Sequence, residues 1–198
     1  MNAPSSGSSS SRPPKRRFRK KFAGKGPHQS GHGAPADQPA AEQQAPVPSG
    51  PPKLAEGFAH LGLAECLLRS LGDEGYDTPT PIQSKAIPHV VQGRDLFGCA
   101  QTGTGKTAAF ALPLIHRMLE NRPEIKPRRC RTLVLAPTRE LAAQIHESFR
   151  SYGRHARLRT AVIYGGVGQH KQARDMMKGV DVLVATPGRL LDLIGQRL

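Results

Sequence analysis

From residue 54 onward, segments in which apolar residues recur at helical spacing alternate with short runs of consecutive apolar residues. The first two helical segments are residues 63–71 and 81–91. Pro81 suits the first turn of the second helix, and Pro88 inside that helix is expected to kink it. Further helices are predicted over residues 107–118, 139–149 and 169–177, and a last one begins after residue 188.

Four apolar runs each precede a glycine or proline and then a predicted helix. Runs of Val, Leu and Ile without alternation are typical of strands that are buried on both faces. The predicted strands are residues 95–99, 132–136, 160–164 and 180–185. Four strand-then-helix units in series predict an α/β fold in which a parallel β-sheet is flanked by helices.

Residues 1–53 show no such pattern and consist mainly of Ser, Gly, Pro, Ala, Gln and basic residues. This segment lacks the apolar area that would offset the entropy of ordering, so we predict a disordered tail of net charge +7. Phe18 and Phe22 interrupt its basic block, which favours an RNA tether that combines phosphate attraction with base stacking. A solubilising tail and a targeting address are the alternatives.

The composition excludes several classes of protein. The net charge of +14 indicates a polyanionic partner such as nucleic acid. Three widely spaced cysteines argue against a disulfide scaffold or a zinc module. No apolar run approaches the length that spans a bilayer, and the first residues lack the apolar stretch of a secretory signal. Membrane, secreted and fibrous proteins are therefore excluded, and a cytoplasmic protein is expected.

The most specific local signal is the string AQTGTGKT at residues 100–107, between a predicted strand and a predicted helix. Gly103 and Gly105 would let successive backbone N–H groups turn toward phosphate oxygens, and the following helix adds the positive end of its dipole. Lys106 would reach the β- and γ-phosphates, and Thr107 Oγ1 would bind Mg²⁺. The general motif begins with glycine, where this chain has alanine. The alternative is an ordinary glycine-rich turn with an exposed lysine.

Four further strings stand in order around that loop: GYDTPTPIQ at 75–83, PTREL at 137–141, GG at 165–166 and TPGR at 186–189. Together the five strings resemble the first lobe of a DEAD-box RNA helicase over about residues 56–198. The run DLFGCAQTGTGKTAAFALPL is most similar to the bacterial RhlE-like subgroup.

This resemblance implies an incomplete RecA-like P-loop NTPase lobe over residues 54–198, after the disordered basic tail of residues 1–53. A nucleotide-recognition segment, the Q motif, is expected at about residues 56–84.

The resemblance implies an ATP site. Gln83 would hydrogen-bond the adenine edge, which a planar amide fits with one donor and one acceptor, and Phe58 would stack on the base. Without the resemblance, Phe58 is expected in the core and Gln83 on a helix surface. The remaining residues expected to bind ATP are Ala100, Gln101, Thr102, Gly103, Thr104, Gly105, Lys106 and Thr107. Lys106 and Thr107 are also the expected catalytic residues, and Thr107 would bind Mg²⁺ together with ATP.

Three of the strings would bind the RNA backbone without base preference. Each follows a predicted parallel strand, so they should cluster beyond the carboxyl ends of the sheet. Hydroxyl and guanidinium groups beside helix N-termini suit phosphate, and glycines allow close approach. The alternative for Arg139 is a structural ion pair with Glu140 or Asp192. The expected RNA-binding residues are Pro137, Thr138, Arg139, Gly165, Gly166, Thr186, Pro187, Gly188 and Arg189.

Residues 1–198 contain no D-E-A-D string, no Ser-Ala-Thr motif and no second lobe with an arginine finger. Phosphoryl transfer also needs a metal ligand and a positioned water. We therefore expect an N-terminal fragment that binds ATP weakly and neither hydrolyses ATP nor unwinds RNA.

The leading functional hypothesis is an ATP-dependent RNA helicase that uses ATP and Mg²⁺ and binds RNA. The second is a non-catalytic RNA-binding or annealing module driven by the basic tail. The third is a DNA helicase or another NTPase that shares the loop, and the string around Gln83 argues against it.

Overall fold

The computed structural model describes residues 53–197, so the predicted tail lies outside the described residues except for Lys53. Within this range, no helix is long and apolar enough to cross a membrane. The elements of the described range are, in chain order, a 3₁₀ helix (Glu56–Leu61), α1 (Glu65–Asp73), α2 (Pro81–Val91), α3 (Lys106–Glu120), β1 (Cys130–Leu135), α4 (Arg139–Tyr152), β2 (Thr160–Ile163), α5 (Gln169–Met176), β3 (Val180–Ala185) and α6 (Pro187–Gly195).

The three strands of the described range form a parallel sheet in the order β1-β3-β2. In the register of this sheet, Leu135 of β1 and Ile163 of β2 both lie opposite Ala185 of β3. All three strands therefore end at the same edge, where the loops that follow them meet. The parallel sheet with its flanking helices confirms the predicted α/β class.

Side chains from the two faces of β3 belong to two separate cores. Val182 and Val184 pack into the larger core with residues of α1, α3 and α4, among them Phe149. Leu183 and Ala185 pack into a smaller core with residues of α5 and α6. Every residue of β3 is buried, as its apolar run, interrupted only by Asp181, predicts.

A buried ion pair joins two strands at their amino ends. The Arg131 guanidinium of β1 lies 3.1 Å from the Asp181 carboxylate of β3, whose side chain is only 3% exposed. The other carboxylate oxygen accepts a 2.8 Å hydrogen bond from the backbone N–H of Arg159, immediately before β2. Asp181 therefore links all three strands, and removing it would leave the guanidinium of Arg131 without its buried counter-charge.

The prediction of a strand at residues 95–99 is wrong. These residues belong to no helix or strand, and Phe97 is 98% exposed. A strand is held by hydrogen bonds to a neighbour, and no strand among residues 53–197 pairs with this segment. The other predicted strands and helices are present, with ends that differ from the predicted ones by at most three residues. Pro88 lies inside α2 without ending it.

Candidate functional site

Residues 100–107, here called the glycine loop, lead directly into α3. Gly103 and Gly105 have φ angles of +77° and +86°, in the left-handed region that favours glycine. Gly105 is the N-cap of α3, and Lys106 and Thr107 are the first two residues of the helix. The loop therefore ends at a helix N-terminus, where backbone N–H groups without helical partners can bind an anion.

The Lys106 ammonium is bonded inside its own loop. Its Nζ donates a 2.6 Å hydrogen bond to the carbonyl oxygen of Ala100 and a second bond to the carbonyl oxygen of Gln101. The hydroxyl of Thr104 donates to the same Gln101 oxygen at 2.9 Å. Carbonyl oxygens of the loop thus bind the positive charge, and a phosphate would have to replace them as its hydrogen-bond partners.

Helix α2 is hydrogen-bonded to the glycine loop at two points. The hydroxyl of Thr80 donates to the Thr104 carbonyl oxygen at 2.9 Å, and Gln83 Nε2 donates to the Gly105 carbonyl oxygen at 3.2 Å. Gln83 Oε1 also accepts a 2.9 Å bond from the Thr80 N–H, which completes a capping box at the start of α2. A Cβ atom at position 105 would collide with Gln83 Nε2.

The two residues predicted to recognise adenine are both buried. Gln83 is 4% exposed, unlike the helix-surface residue that periodicity alone predicts. Its amide has two N–H groups and two lone pairs, so one donor and one acceptor stay free beyond the bonds to Gly105 and Thr80. Phe58 is 1% exposed within the larger core, so stacking on a base requires one face of its ring to become exposed. Both roles stay predictions.

The strings after the three strands come together at the carboxyl edge of the sheet, as predicted. We call residues 137–139, 165–166 and 186–189 the strand-end surface. Thr138 is the N-cap of α4, and its hydroxyl accepts a 3.2 Å bond from the Leu141 N–H. Thr186 precedes α6, with Pro187 in the first turn, and its N–H donates to the Ile163 carbonyl oxygen at 2.8 Å. Two helix N-termini therefore lie beside the paired ends of the strands.

Two arginines of the strand-end surface approach the glycine pair. A Cβ atom at Gly166, whose φ is +81°, would collide with the guanidinium of Arg139. Arg189 Nη1 donates a 3.2 Å bond to the carbonyl oxygen of Val167. Both cationic groups thus border the same loop, an arrangement suited to phosphate.

Of the two ion pairs considered for Arg139 from the sequence, the structure shows the one with Glu140, whereas Asp192 pairs with Arg189. Arg139 lies 3.7 Å from Glu140, with both side chains more than half exposed, so the pair contributes little stability. Asp192 lies 3.5 Å from Arg189. An exposed, weakly paired Arg139 is available to bind an anion.

Thr80 is the site residue that sequence reasoning missed. It belongs to the string GYDTPTPIQ, but its bond to Thr104 joins residues that are 24 positions apart. The spacing T-x-x-Q between Thr80 and Gln83 is the signal that could have identified it, because this spacing is typical of a capping box.

Comparison with known proteins gives a family and several relatives. A family model described as DEAD/DEAH box helicase matches residues 80–198. The chain is 46% identical to "DEAD-box ATP-dependent RNA helicase 52A" of Oryza sativa subsp. japonica, in a match that covers 72% of this chain and 26% of that protein. It is 49% identical to "DEAD-box ATP-dependent RNA helicase RhpA" of Helicobacter pylori, over 68% of this chain and 26% of the relative.

A solved structure shares the fold. The crystal structure of the RNA helicase Prp28 from Chaetomium thermophilum, bound to ADP, matches with a TM-score of 0.66 and 41% sequence identity. The match covers 74% of this chain and 36% of that one. The chain spans about a quarter of the length of the two curated relatives named above.

Proposed function

The chain belongs to the DEAD/DEAH box helicase family, and from this premise we propose that it carries the ATP-binding elements and part of the RNA-binding elements of an ATP-dependent RNA helicase. In this proposal the glycine loop and α2 bind ATP, and the strand-end surface binds the RNA backbone. The predicted tail of residues 1–53 would act as an additional RNA tether, and residues 54–198 would form the first lobe. We retain the RhlE-like subgroup and the cytoplasmic location as parts of the proposal.

The observation that carries the proposal is the pair of hydrogen bonds from Thr80 and Gln83 to the backbone of the glycine loop. They attach the element expected to recognise the base directly to the element expected to bind the phosphates. A nucleotide that contacts both would therefore be selected for its base as well as for its charge. The unused donor and acceptor of Gln83 match the adenine edge, which favours ATP over GTP.

Lys106 and Thr107 would act on the phosphates. The Lys106 ammonium would exchange the carbonyl oxygens of Ala100 and Gln101 for the β- and γ-phosphate oxygens of ATP. The hydroxyl of Thr107, in the first turn of α3, is the group of the loop suited to bind Mg²⁺. The ion would neutralise phosphate charge, while the N-terminus of α3 orients the nucleotide.

The strand-end surface would hold RNA through its phosphates. Arg139 and Arg189 supply charge, Thr138 and Thr186 stand at helix N-termini, and Gly165 and Gly166 allow close approach. These groups contact phosphate and sugar, so binding would show little sequence preference.

ATP binding can be tested with a fluorescent ATP analogue on the 198-residue chain. Lys106→Ala should weaken binding at least about tenfold, because it removes a charge-assisted contact to phosphate. Lys85→Ala is the matched control, since Lys85 is an exposed lysine of α2 and makes no described bond to the loop. Equal affinity of the two variants would contradict the proposal, as would equal competition by ATP and GTP.

RNA binding through the strand-end surface can be separated from binding through the tail by replacing Arg139 and Arg189 together with Ala. The double variant should bind single-stranded RNA more weakly and with a smaller salt dependence than the wild-type chain. Arg150→Ala combined with Arg154→Ala removes the same charge outside this surface and serves as the control. If the first pair has no larger effect than the second, the tail-driven RNA-binding module becomes the better account.

The expectation that residues 1–198 do not hydrolyse ATP stays a prediction. RNA-stimulated release of phosphate by the purified chain would contradict it.

A further inference from the structure

A cleft beside the strand-end surface has no role in the proposed function. It has a volume of about 590 Å³ and runs along β2, between α4 and α5. We call it the edge cleft. The residues that matter for its chemistry are His146 of α4, Thr160, Val162 and Tyr164 on or just after β2, and Lys171 and Gln172 of α5.

Backbone groups of β2 point into the edge cleft. Carbonyl oxygens of Arg159 and Ile163 accept hydrogen bonds from N–H groups of β3 and of the residue that follows it. Backbone groups alternate in direction along a parallel strand, so those of Thr160, Val162 and Tyr164 face away from β3. In the described part of the chain β2 is an edge strand, and these three residues all border the cleft. The cleft wall therefore offers backbone N–H donors and carbonyl acceptors to a ligand.

Gln172 supplies a second, independent sign of a ligand. The residue is only 7% exposed, and its Nε2 donates a 3.0 Å bond to the Tyr164 carbonyl oxygen. Its Oε1 is buried and has no hydrogen-bond partner. Buried acceptors are nearly always paired, because leaving one unpaired costs free energy. A donor group of a ligand in the cleft would satisfy this atom.

The rim and the floor of the cleft differ in charge. Lys171 is exposed at the rim, where its charge can attract a phosphate. His146 lies deeper, with its Nε2 3.0 Å from the hydroxyl of Thr160. Burial lowers the pKa of His146 below its usual value, so the ring is neutral near pH 7. The carboxylate of Asp175 also borders the cleft and can accept a bond from an amino group.

We propose that the edge cleft binds one unpaired base of an RNA whose backbone lies on the strand-end surface. The inference rests on the proposed function, because Tyr164 and Val167, which border the cleft, flank the glycine pair Gly165–Gly166. A nucleotide next to that pair reaches the cleft without a linker. The outward backbone groups of β2 then pair with the edge of the base, and Lys171 binds the adjoining phosphate.

A nucleobase fits the cleft better than an added peptide strand does. β2 has four residues, and the Tyr164 carbonyl is already bonded to Gln172. This leaves outward backbone pairs only at Thr160 and Val162, too few for a stable ladder. A base needs only one donor and one acceptor, and the unpartnered Oε1 of Gln172 can accept from a ring N–H or an exocyclic amine of the base.

The test is photo-cross-linking of the full chain to single-stranded RNA that contains 4-thiouridine, with the cross-linked residues mapped by mass spectrometry. Cross-links should fall between Tyr164 and Gln172. Lys171→Ala should lower their yield at least about threefold, since it removes a phosphate contact. Arg174→Ala is the matched control, because Arg174 is also exposed on α5 and carries the same charge but does not border the cleft. It should leave the yield unchanged.

A second arm compares oligonucleotides in which one nucleotide at a time is abasic. One position should lose at least about fivefold in affinity, the low end of what one bound base contributes, and the loss should shrink in Lys171→Ala. If RNA binds but the abasic scan is flat and cross-links avoid the cleft, the base site is overturned and the proposed function stands. If no RNA binds, both fail. Protection of the outward-facing Thr160 and Val162 amides from hydrogen exchange without RNA would assign the edge to a peptide and also overturn the base site.

Discussion

Strand β3 and the segment of residues 95–99 have similar apolar sequences and opposite environments. Every residue of β3 is buried between two partner strands and two cores. In the other segment, Leu96 is 46% exposed, Phe97 is 98% exposed, and no described strand pairs with them. An apolar run therefore indicates that a segment can form a buried strand, but only its neighbours make it one. Substitutions at matched positions of the two segments can test this difference.

The largest difference is expected between two aspartates. Asp181→Ala removes the carboxylate that pairs with Arg131 and binds the Arg159 N–H, so the free energy of unfolding should fall by about 3–5 kcal/mol. Asp95→Ala, in the unpaired segment, should change it by less than about 0.5 kcal/mol. Urea unfolding followed by circular dichroism measures both. Equal losses would show that residues 95–99 are as well packed as β3.

A smaller difference is expected between two leucines. Leu183→Ala leaves a cavity in the smaller core and should cost about 2–5 kcal/mol. Leu96→Ala removes a side chain that already contacts water over nearly half of its surface, so it should cost less than about 1 kcal/mol. The same unfolding experiment compares them. A large loss for Leu96→Ala would contradict the exposed position of this residue.

Residues 95–99 lead into the glycine loop, which is ordered because α2 is hydrogen-bonded to its end. Thr80→Val removes the bond to the Thr104 carbonyl and the hydroxyl of the capping box, and should cost about 1–2 kcal/mol. Thr78→Val is the control, since Thr78 is exposed and makes no described side-chain bond. ATP affinity should fall with Thr80→Val alone. Unchanged affinity would show that α2 is not part of the proposed ATP site.

The smallest effect concerns acid sensitivity at the edge of the paired sheet. Burial lowers the pKa of His146 in the folded chain, and the nearby charge of Arg150 adds to this effect. The hydrogen bond with Thr160 and the carboxylates of Glu147 and Asp175 raise the pKa by less. The unfolded chain therefore binds a proton more readily, and the contribution of His146 to stability, present above its unfolded pKa of about 6.5, decreases as the pH falls below that value. His146→Gln should lose less stability between pH 7 and pH 5 than the wild type. Parallel pH profiles of unfolding would contradict this.

The sequence predicted features that depend on neighbouring residues and missed those that depend on contacts between distant residues. The bounds of α2 and β3 were predicted correctly, because a proline starts α2 and an apolar run, interrupted only by Asp181, spans β3. The glycine loop was also placed correctly, at the start of a helix. Burial of Gln83 could not be predicted, because its bond to Gly105 joins residues 22 positions apart. The edge cleft was missed for the same reason, since three separate elements form its walls.

The bonds of Lys106 have a consequence for how nucleotide affinity should be interpreted. Its ammonium already donates to two carbonyl oxygens of the loop, so the charge has hydrogen-bond partners before any phosphate binds. For Lys106, nucleotide binding is then an exchange of partners, and its contribution to the affinity is the gain of a phosphate contact over the carbonyl contacts. Replacing Lys106 would remove two hydrogen bonds within the loop as well as a contact to the ligand, so an entropy change should accompany the lost affinity in calorimetry.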